Sequence, residues 1–574
     1  MKTNFLKTLL IALLPICAVS CIDNVPEEEV LPRDAVSFEY YIDQNTDSKY
    51  YLDFYVDSDI TFKNTSPEST AGEPTWDFGD GTVVTGNLVT HFYAKAGTYT
   101  VKLTIGDFSA KQSIMIAPIK PIVKVVYADE VCEVRKTPVT FEVELPNPKN
   151  KPATFYWSFP EDTKNQNDED YASYEGKGVT DLPAPVKFSH VGSQQVQLNV
   201  KLGDDDLEPT FLNVQVAYNK EVPTLYYAVA GGPIKAHKLA NDAPADMKIY
   251  SYDLGVASGQ HPLNILFHDS LLYVLDAGKQ FYYVNDVNGV LGDGKISVIS
   301  KDGSKVQTMI SNAGQAAFDD PFYGCIDGDF LYYANRNTGI MKVALTDRDK
   351  VYSVNDYPYW VQNNTLGYYA NGIAYGAIGG MFGKINGVWH WTKFYNGNGI
   401  FRFEEGDIQP KAVDGTDKTL IPKAGIMLES MWHKSFVYTA KSPTPKMVLH
   451  IMDVGYNGVY AATYDEFNAV GSSKNSIKPY AITYDGKMFE SNTAGNLPSK
   501  EGTGTESIGI CQMTYDEVND CVYFAYRNNA PGGADKFPAS GIYCYNVATG
   551  AVTCLVEGVE AYGVAVNNTP SKLF

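Results

Sequence analysis

Seven aromatic residues in the second half of the chain stand among amide-bearing and turn-forming neighbours: Tyr357, Tyr359, Trp360, Trp389, Trp391, Tyr395 and Trp432. A Tyr-x-Ala-x-Arg-Asn pattern occurs twice there, ending in Arg336-Asn337 and in Arg527-Asn528. Sugar rings present flat C–H faces that stack on aromatic rings, and hydroxyls that pair with planar amide and guanidinium groups. The set therefore suits glycan binding. Trp389 and Trp391 share one face of a strand, so packing between neighbouring sheets is an equally open reading for them. The stretch around Trp360, Pro-Tyr-Trp-Val-Gln-Asn-Asn, is not a core pattern.

Catalysis finds less support. The chain has no G-x-S-x-G, H-E-x-x-H or P-loop. Its eight histidines are scattered, His261 and His268 being the closest pair, and no metal-ligand trio forms. No metal or cofactor is expected. Asp319-Asp320 and Glu404-Glu405 are adjacent, which on a strand sends the two carboxylates to opposite faces. Two carboxylates from different strands, about 5–10 Å apart, would still make a glycosidase, and that alternative stays open. Asp77-Phe78-Gly79 matches the magnesium-holding tripeptide of protein kinases but lacks their catalytic loop and glycine-rich lid. Trp76 and Phe78 are instead expected to point into a core, with Gly79-Asp80-Gly81 making a turn.

The elements that must position these residues are β. The 574-residue chain is 44% hydrophobic and 20% charged, with 41 tyrosines and 49 glycines, which suggests many short strands joined by tight turns. A net charge of −21 argues against nucleic acid and anionic lipid as partners. Residues 1–20 read as an export signal, with Lys2 and Lys7 before a short apolar run. Ala18-Val19-Ser20-Cys21 then resembles a bacterial lipoprotein cleavage site, which implies lipidation at Cys21; an ordinary secretory signal is the alternative. Residues 21–33 are acidic and contain Pro, as an extended tether would.

Trp76-Asp-Phe-Gly-Asp-Gly81, then His91-Phe-Tyr93 and Gly97-Thr-Tyr-Thr-Val101, resemble the polycystic-kidney-disease (PKD) domain, an immunoglobulin-like sandwich, over residues 34–118. Residues 119–218 carry a diverged copy: Phe155-Tyr-Trp-Ser-Phe159, Phe188-Ser-His-Val-Gly192 and the alternating Val196 to Leu202. From residue 222 to 574 a short strand recurs, as at Leu225-Tyr-Tyr-Ala228, Leu272-Tyr-Val-Leu275, Leu331-Tyr-Tyr-Ala334, Val437-Tyr-Thr-Ala440 and Val522-Tyr-Phe-Ala525, with Val388-Trp-His-Trp391 in the gap. Repeats of this size with four strands each are a β-propeller pattern. The expected fold is thus all-β: two tandem immunoglobulin-like (PKD) sandwiches followed by a β-propeller of six blades, or seven if Lys487-Met-Phe-Glu490 begins another. The final strand Ala561-Tyr-Gly-Val-Ala-Val566 is expected to close the ring beside Leu225.

Cys511, Cys521, Cys544 and Cys554 fall on successive strands of the last repeat, either as disulfides in an oxidising compartment or as buried thiols. On the propeller template, the long loops and the crossing at residues 357–364 share one face, where function is expected. The whole arrangement resembles the PKD-domain surface lipoproteins of Bacteroidetes-type bacteria. That resemblance implies an outer-membrane, non-catalytic glycan binder serving a nutrient transporter and its lid lipoprotein. A propeller hydrolase or lyase, and a peptide-binding or scaffold subunit, are the alternatives.

Overall fold

The computed structural model describes residues 36–42, 54–68, 70–279, 292–311, 320–335, 339–352, 358–362, 369–370, 373–374, 379–393, 399–403, 426–427, 433–453, 456–468, 480–490, 509–528 and 534–573. The export signal, Cys21 and the tether lie outside them. The described chain is almost entirely β, with one short helix, Tyr464–Asn468, and a 3-10 turn at Ala534–Lys536. Among the described residues no helix is long and apolar enough to cross a membrane.

The first sandwich pairs a three-stranded sheet (Phe38–Tyr41, Ile60–Asn64, Leu88–His91) with a four-stranded one (Val83–Thr85, Thr75–Asp77, Gly97–Ile105, Phe108–Ile116). Alternation decides what is buried: Trp76, Phe78, Val101 and Leu103 are fully inside. The Trp76 indole N–H donates to the Gly86 carbonyl at 2.8 Å, which satisfies its one polar atom. The Asp-Phe-Gly-Asp-Gly stretch is a turn, as its sequence suggests. Asp77 accepts from the Gly79 amide and Asp80 from the Thr82 amide, while His91 lies 2.9 Å from the second Asp80 oxygen. Gly79 has φ +78°, and a Cβ there would sit 2.7 Å from the Thr100 carbonyl oxygen, so only glycine fits.

The second sandwich is built on Ser173–Lys177, Ala153–Ser158, Gly192–Leu202, Thr210–Ala217 and Cys132–Glu133, in that order across the sheet. Trp157 and Phe155 are buried with Val196, Leu198 and Val200, and the pair Ile122–Val126 and Thr140–Glu144 contributes Phe141 from the opposing side. Lys151 from this sandwich reaches Asp57 of the first at 2.7 Å.

Six sheets of four or more strands follow among the described residues, with the two-stranded pair Tyr369–Ala370 and Ile373–Ala374 besides; their pairings are antiparallel except that Lys350–Val351 joins Val306–Ser311 in parallel. Sheet 1 runs Ala561–Ser571, Val222–Val229, Pro233–Lys238, Tyr252–Ala257 from inside out; sheet 2 runs Pro262–His268, Leu271–Asp276, Lys295–Ser300, Val306–Ser311. Sheet 3 is Pro321–Asp327, Phe330–Asn335, Gly339–Ala344, Tyr359–Gln362, and sheet 4 is Gly379–Ile385, Val388–Lys393, Gly399–Phe403, Ile426–Met427. Sheet 5 is His433–Tyr438, Lys446–Asp453, Tyr456–Thr463, Tyr480–Tyr484, and sheet 6 is Met513–Asp516, Cys521–Tyr526, Gly541–Asn546, Val552–Glu557. Lys487–Met488 adds to sheet 5 as a hairpin on Tyr480–Tyr484. The last strand pairs with the first, Leu225 opposite Val566 and Tyr226 opposite Ala565, as the repeats lead one to expect.

The first strand of each sheet lies against the first strand of the next. Sheet backbones cannot hydrogen-bond across that junction, and buried amide side chains take over. Gln512 accepts from the Ile265 and Val564 amides at 2.9 and 3.0 Å and donates to the Ile265 carbonyl at 2.7 Å, so it joins sheets 6, 2 and 1. Asn264 of sheet 2 accepts from the Gly324 amide of sheet 3 at 3.1 Å. Lys238 lies beneath the terminal pairing, buried and donating to Thr224, Ser571 and the Leu573 carbonyl.

The second sandwich is fused to sheet 1. Val191 and Ile249 form a parallel bridge, with Val191 N–H to Lys248 carbonyl at 3.0 Å and Tyr250 N–H to Val191 carbonyl at 2.8 Å. Ala240, Met247 and Ile249 pack into the sandwich core, and Arg135–Asp246, Lys248–Glu161 and Lys572–Glu133 ion pairs surround the joint.

Candidate functional site

The sequence-derived aromatic set does not gather on one described surface. Arg336, Asn337, Tyr357, Tyr395 and Trp432 lie outside the described residues, as do the side chains of Tyr359 and Trp391. Tyr359 and Trp360 stand in the outer strand of sheet 3, not in a crossing loop, because Gly339–Ala344 captures them by backbone pairing. Trp360 meets Trp389 edge-on at 5.0 Å and Tyr332 at 4.7 Å, and Trp389 is 2% exposed. Trp389 thus packs between sheets, with the Lys384 ammonium 5.0 Å from its ring, and its faces are taken.

Arg527 and Asn528 are likewise occupied. The Arg527 guanidinium sits 4.7 Å over the Tyr562 ring and bonds Tyr562 and Glu560, each at 3.0 Å. Asn528 donates its backbone N–H to Ser540 and its side-chain amide to the Pro538 carbonyl, which ties down its own loop. Cys511, which lies before the first strand of sheet 6 and not on a strand as the sequence suggests, and Cys521, Cys544 and Cys554 within the sheet are free thiols. In register, Cys521 faces Asn546, Cys544 faces Tyr523 and Cys554 faces Tyr543; the Cys521 and Cys544 thiols, on neighbouring strands, hydrogen-bond to each other. Burial pushes the Cys554 thiol up.

What the structure does assemble is a cavity of about 570 Å³ where the inner strands of all six sheets end. Its wall is drawn from the last residues of each first strand and the turn after it. Phe267 and His268 come from sheet 2, Asp327 and Gly328 from sheet 3, Lys384 and Asn386 from sheet 4. Tyr438 comes from sheet 5, Thr514 and Tyr515 from sheet 6, and Asn568 from sheet 1, with Gln512 deeper inside. Second-to-third-strand loops such as residues 277–294 and 527–540 leave from the opposite ends of the sheets, so the cavity is on the face the sequence reading set aside.

Each wall group is held. Asp327 and Lys384 pair across sheets 3 and 4 at 2.6 Å. Phe267 stacks on Tyr226 with centroids 5.7 Å apart, and Tyr438 leans on Tyr464 at 4.8 Å. The Tyr515 hydroxyl donates to Asp520 at 2.9 Å; burial, with that carboxylate beside it, pushes the phenol up and keeps it protonated. Asn568 accepts from the Glu517 amide at 3.1 Å, which fixes its orientation. The cavity therefore presents ring faces, phenol hydroxyls, amides and one compensated ion pair. Among the described residues no group of three or more His, Cys, Asp or Glu side chains is placed to hold a metal ion. The sequence did carry a trace of these positions: His268-Asp-Ser, Asp327-Gly-Asp and Asn386-Gly are recurrent turn signals, but nothing in them says that they converge.

Comparison with known proteins bears on the first sandwich. Residues 55–113 match the PKD domain family. The match falls within the first sandwich, the one whose turn residue Asp80 meets His91 of the strand Leu88–His91. No curated protein matches the sequence. Among solved structures, a quinonprotein alcohol dehydrogenase-like protein from Bacteroides thetaiotaomicron is similar at 11% identity and TM-score 0.30, covering 73% of this chain and 79% of its own. A DUF4784 family protein from Bacteroides caccae is similar at 7% and 0.30, with coverage of 78% and 98%. PorZ, a surface component of the type-IX secretion system of Porphyromonas gingivalis, is similar at 10% and 0.29, with coverage of 87% and 73%. Overlaps this partial carry no inference about activity or fold.

Proposed function

We propose that this chain is a non-catalytic surface lipoprotein of Bacteroidetes type, anchored through Cys21, that binds glycan on a six-bladed β-propeller and passes it to an outer-membrane uptake system. The PKD domain and its neighbour act as the stalk. Closure into a propeller is supported by the contacts between successive first strands, which lead from Ala561–Ser571 through sheets 2 to 6 and back to Ala561–Ser571. The observation that carries the functional reading is the axial cavity, whose ring faces, hydroxyls and amides are the groups that recognise sugars. Its carboxylate, Asp327, pairs with Lys384.

Affinity electrophoresis of the full mature chain against a panel of neutral and acidic polysaccharides tests the reading. Retarded migration without product release is expected. New reducing ends or unsaturated products would turn the protein into a hydrolase or lyase, and unretarded migration on every gel would remove the glycan reading.

A further inference from the structure

We propose that the axial cavity takes the end of an uncharged saccharide chain, inserted along the axis, and not an internal stretch lying across the head. This rests on the glycan-binding reading above, and it adds which part of the polymer is read and by which wall. A polymer bound in mid-chain leaves its site at two points, so it needs a cleft open on both sides. Here Phe267, Asp327, Lys384, Tyr438, Tyr515 and Asn568 stand on six different sheets and ring the cavity on all sides. A chain can only enter such a ring end-on.

The wall's charges favour a neutral ligand. Asp327 and Lys384 compensate one another at 2.6 Å, and His268 lies 3.2 Å from Asp269. A carboxylated or sulfated sugar would lose its hydration and find no uncompensated positive charge among the described lining residues in return. Gly383 lines the cavity, and a Cβ there would meet only the Phe436 ring, at 3.9 and 4.0 Å. The volume of about 570 Å³ lies within the range of small-ligand pockets, enough for roughly two sugar rings.

The test is calorimetric titration of the full chain with neutral linear gluco-, manno- and fructo-oligosaccharides of increasing length, cyclic glucans, and oligogalacturonates. Affinity for a linear neutral series is expected to level off after about two or three residues, with cyclic and acidic probes weaker by about tenfold or more. Gly383→Leu fills the cavity from a position with room for a side chain, and should weaken binding by about tenfold or more at unchanged Tm. Tyr438→Leu, which removes the ring face and hydroxyl but leaves an apolar side chain beside Tyr464, gives a second reading should Gly383→Leu not fold. Equal binding of cyclic probes, or affinity that keeps rising with length, would overturn end recognition. Undiminished binding by both folded variants would move the site elsewhere while leaving glycan binding intact; no binding by any neutral probe would overturn both readings.

Discussion

Gln512 offers a direct test of how the six sheets are held together. It is 4% exposed, and its one amide serves three backbone groups from two other sheets: the Ile265 N–H, the Val564 N–H and the Ile265 carbonyl. Gln512→Leu keeps the volume and removes every partner at once. Each buried backbone group left unpaired costs about 1–3 kcal/mol, so losing three partners should cost the variant roughly 3–9 kcal/mol. A domain of about 350 residues unfolds with an entropy near 0.7 kcal/mol per degree, so the loss corresponds to a fall in Tm of about 4–12 °C. Differential scanning calorimetry of the full chain reads this on the transition of the six-sheet region. Gln512→Glu should recover part of the loss at acid pH, where a protonated carboxyl can donate to the Ile265 carbonyl. A Tm within about 1 °C of the parent for Gln512→Leu would mean that side-chain packing alone holds the inner strands, and that the amide bridges are incidental.

Three further outcomes are expected. Gly192 has φ +104°, and a Cβ there would lie 2.0 Å from the Tyr250 carbonyl oxygen, so Gly192→Ala should break the bridge to Val191 and cost about 3–5 kcal/mol in strain and lost hydrogen bonds. Limited proteolysis should then cut within residues 239–251, and an unchanged digestion pattern would refute the fused joint. Burial lowers Lys238 from its ordinary value to about 7. The unfolded chain therefore holds a proton that the folded chain lacks between about pH 7 and 10.5. The destabilisation is complete below that window and absent above it. Stability should rise by about 2–3 kcal/mol from pH 7 to 9, and urea titrations of Lys238→Met should lack that slope; equal slopes would refute it. Alkylation of the unreduced, denatured chain followed by mass measurement should find Cys511, Cys521, Cys544 and Cys554 all modified, and a mass short of two alkyl groups would reveal a disulfide.

The first sandwich was legible almost residue by residue. Trp76 and Phe78 alternate with polar neighbours, and Gly79-Asp80-Gly81 is turn chemistry that works through local bonds, so nothing distant had to be known. The pairing of the last strand with Leu225 was legible for a similar reason: a repeat with one strand missing at its start and one left over at its end has a single economical solution. Trp360 and Trp389 were not. Aromatic residues that look alike in sequence become ligand platforms or sheet-to-sheet packing according to whether a neighbouring sheet covers them, and sheet 3 and sheet 4 bring Tyr332, Trp360 and Trp389 together.

The amino-acid sequence by itself determined which segments become strands, where they turn and that they repeat, because alternation and turn propensity act over a few residues. The cavity belongs to the tertiary structure alone. Phe267, Asp327, Lys384, Tyr438, Tyr515 and Asn568 are far apart along the chain and share no motif. They become one wall only when the first strands of six sheets are packed side by side, which brings their ends together.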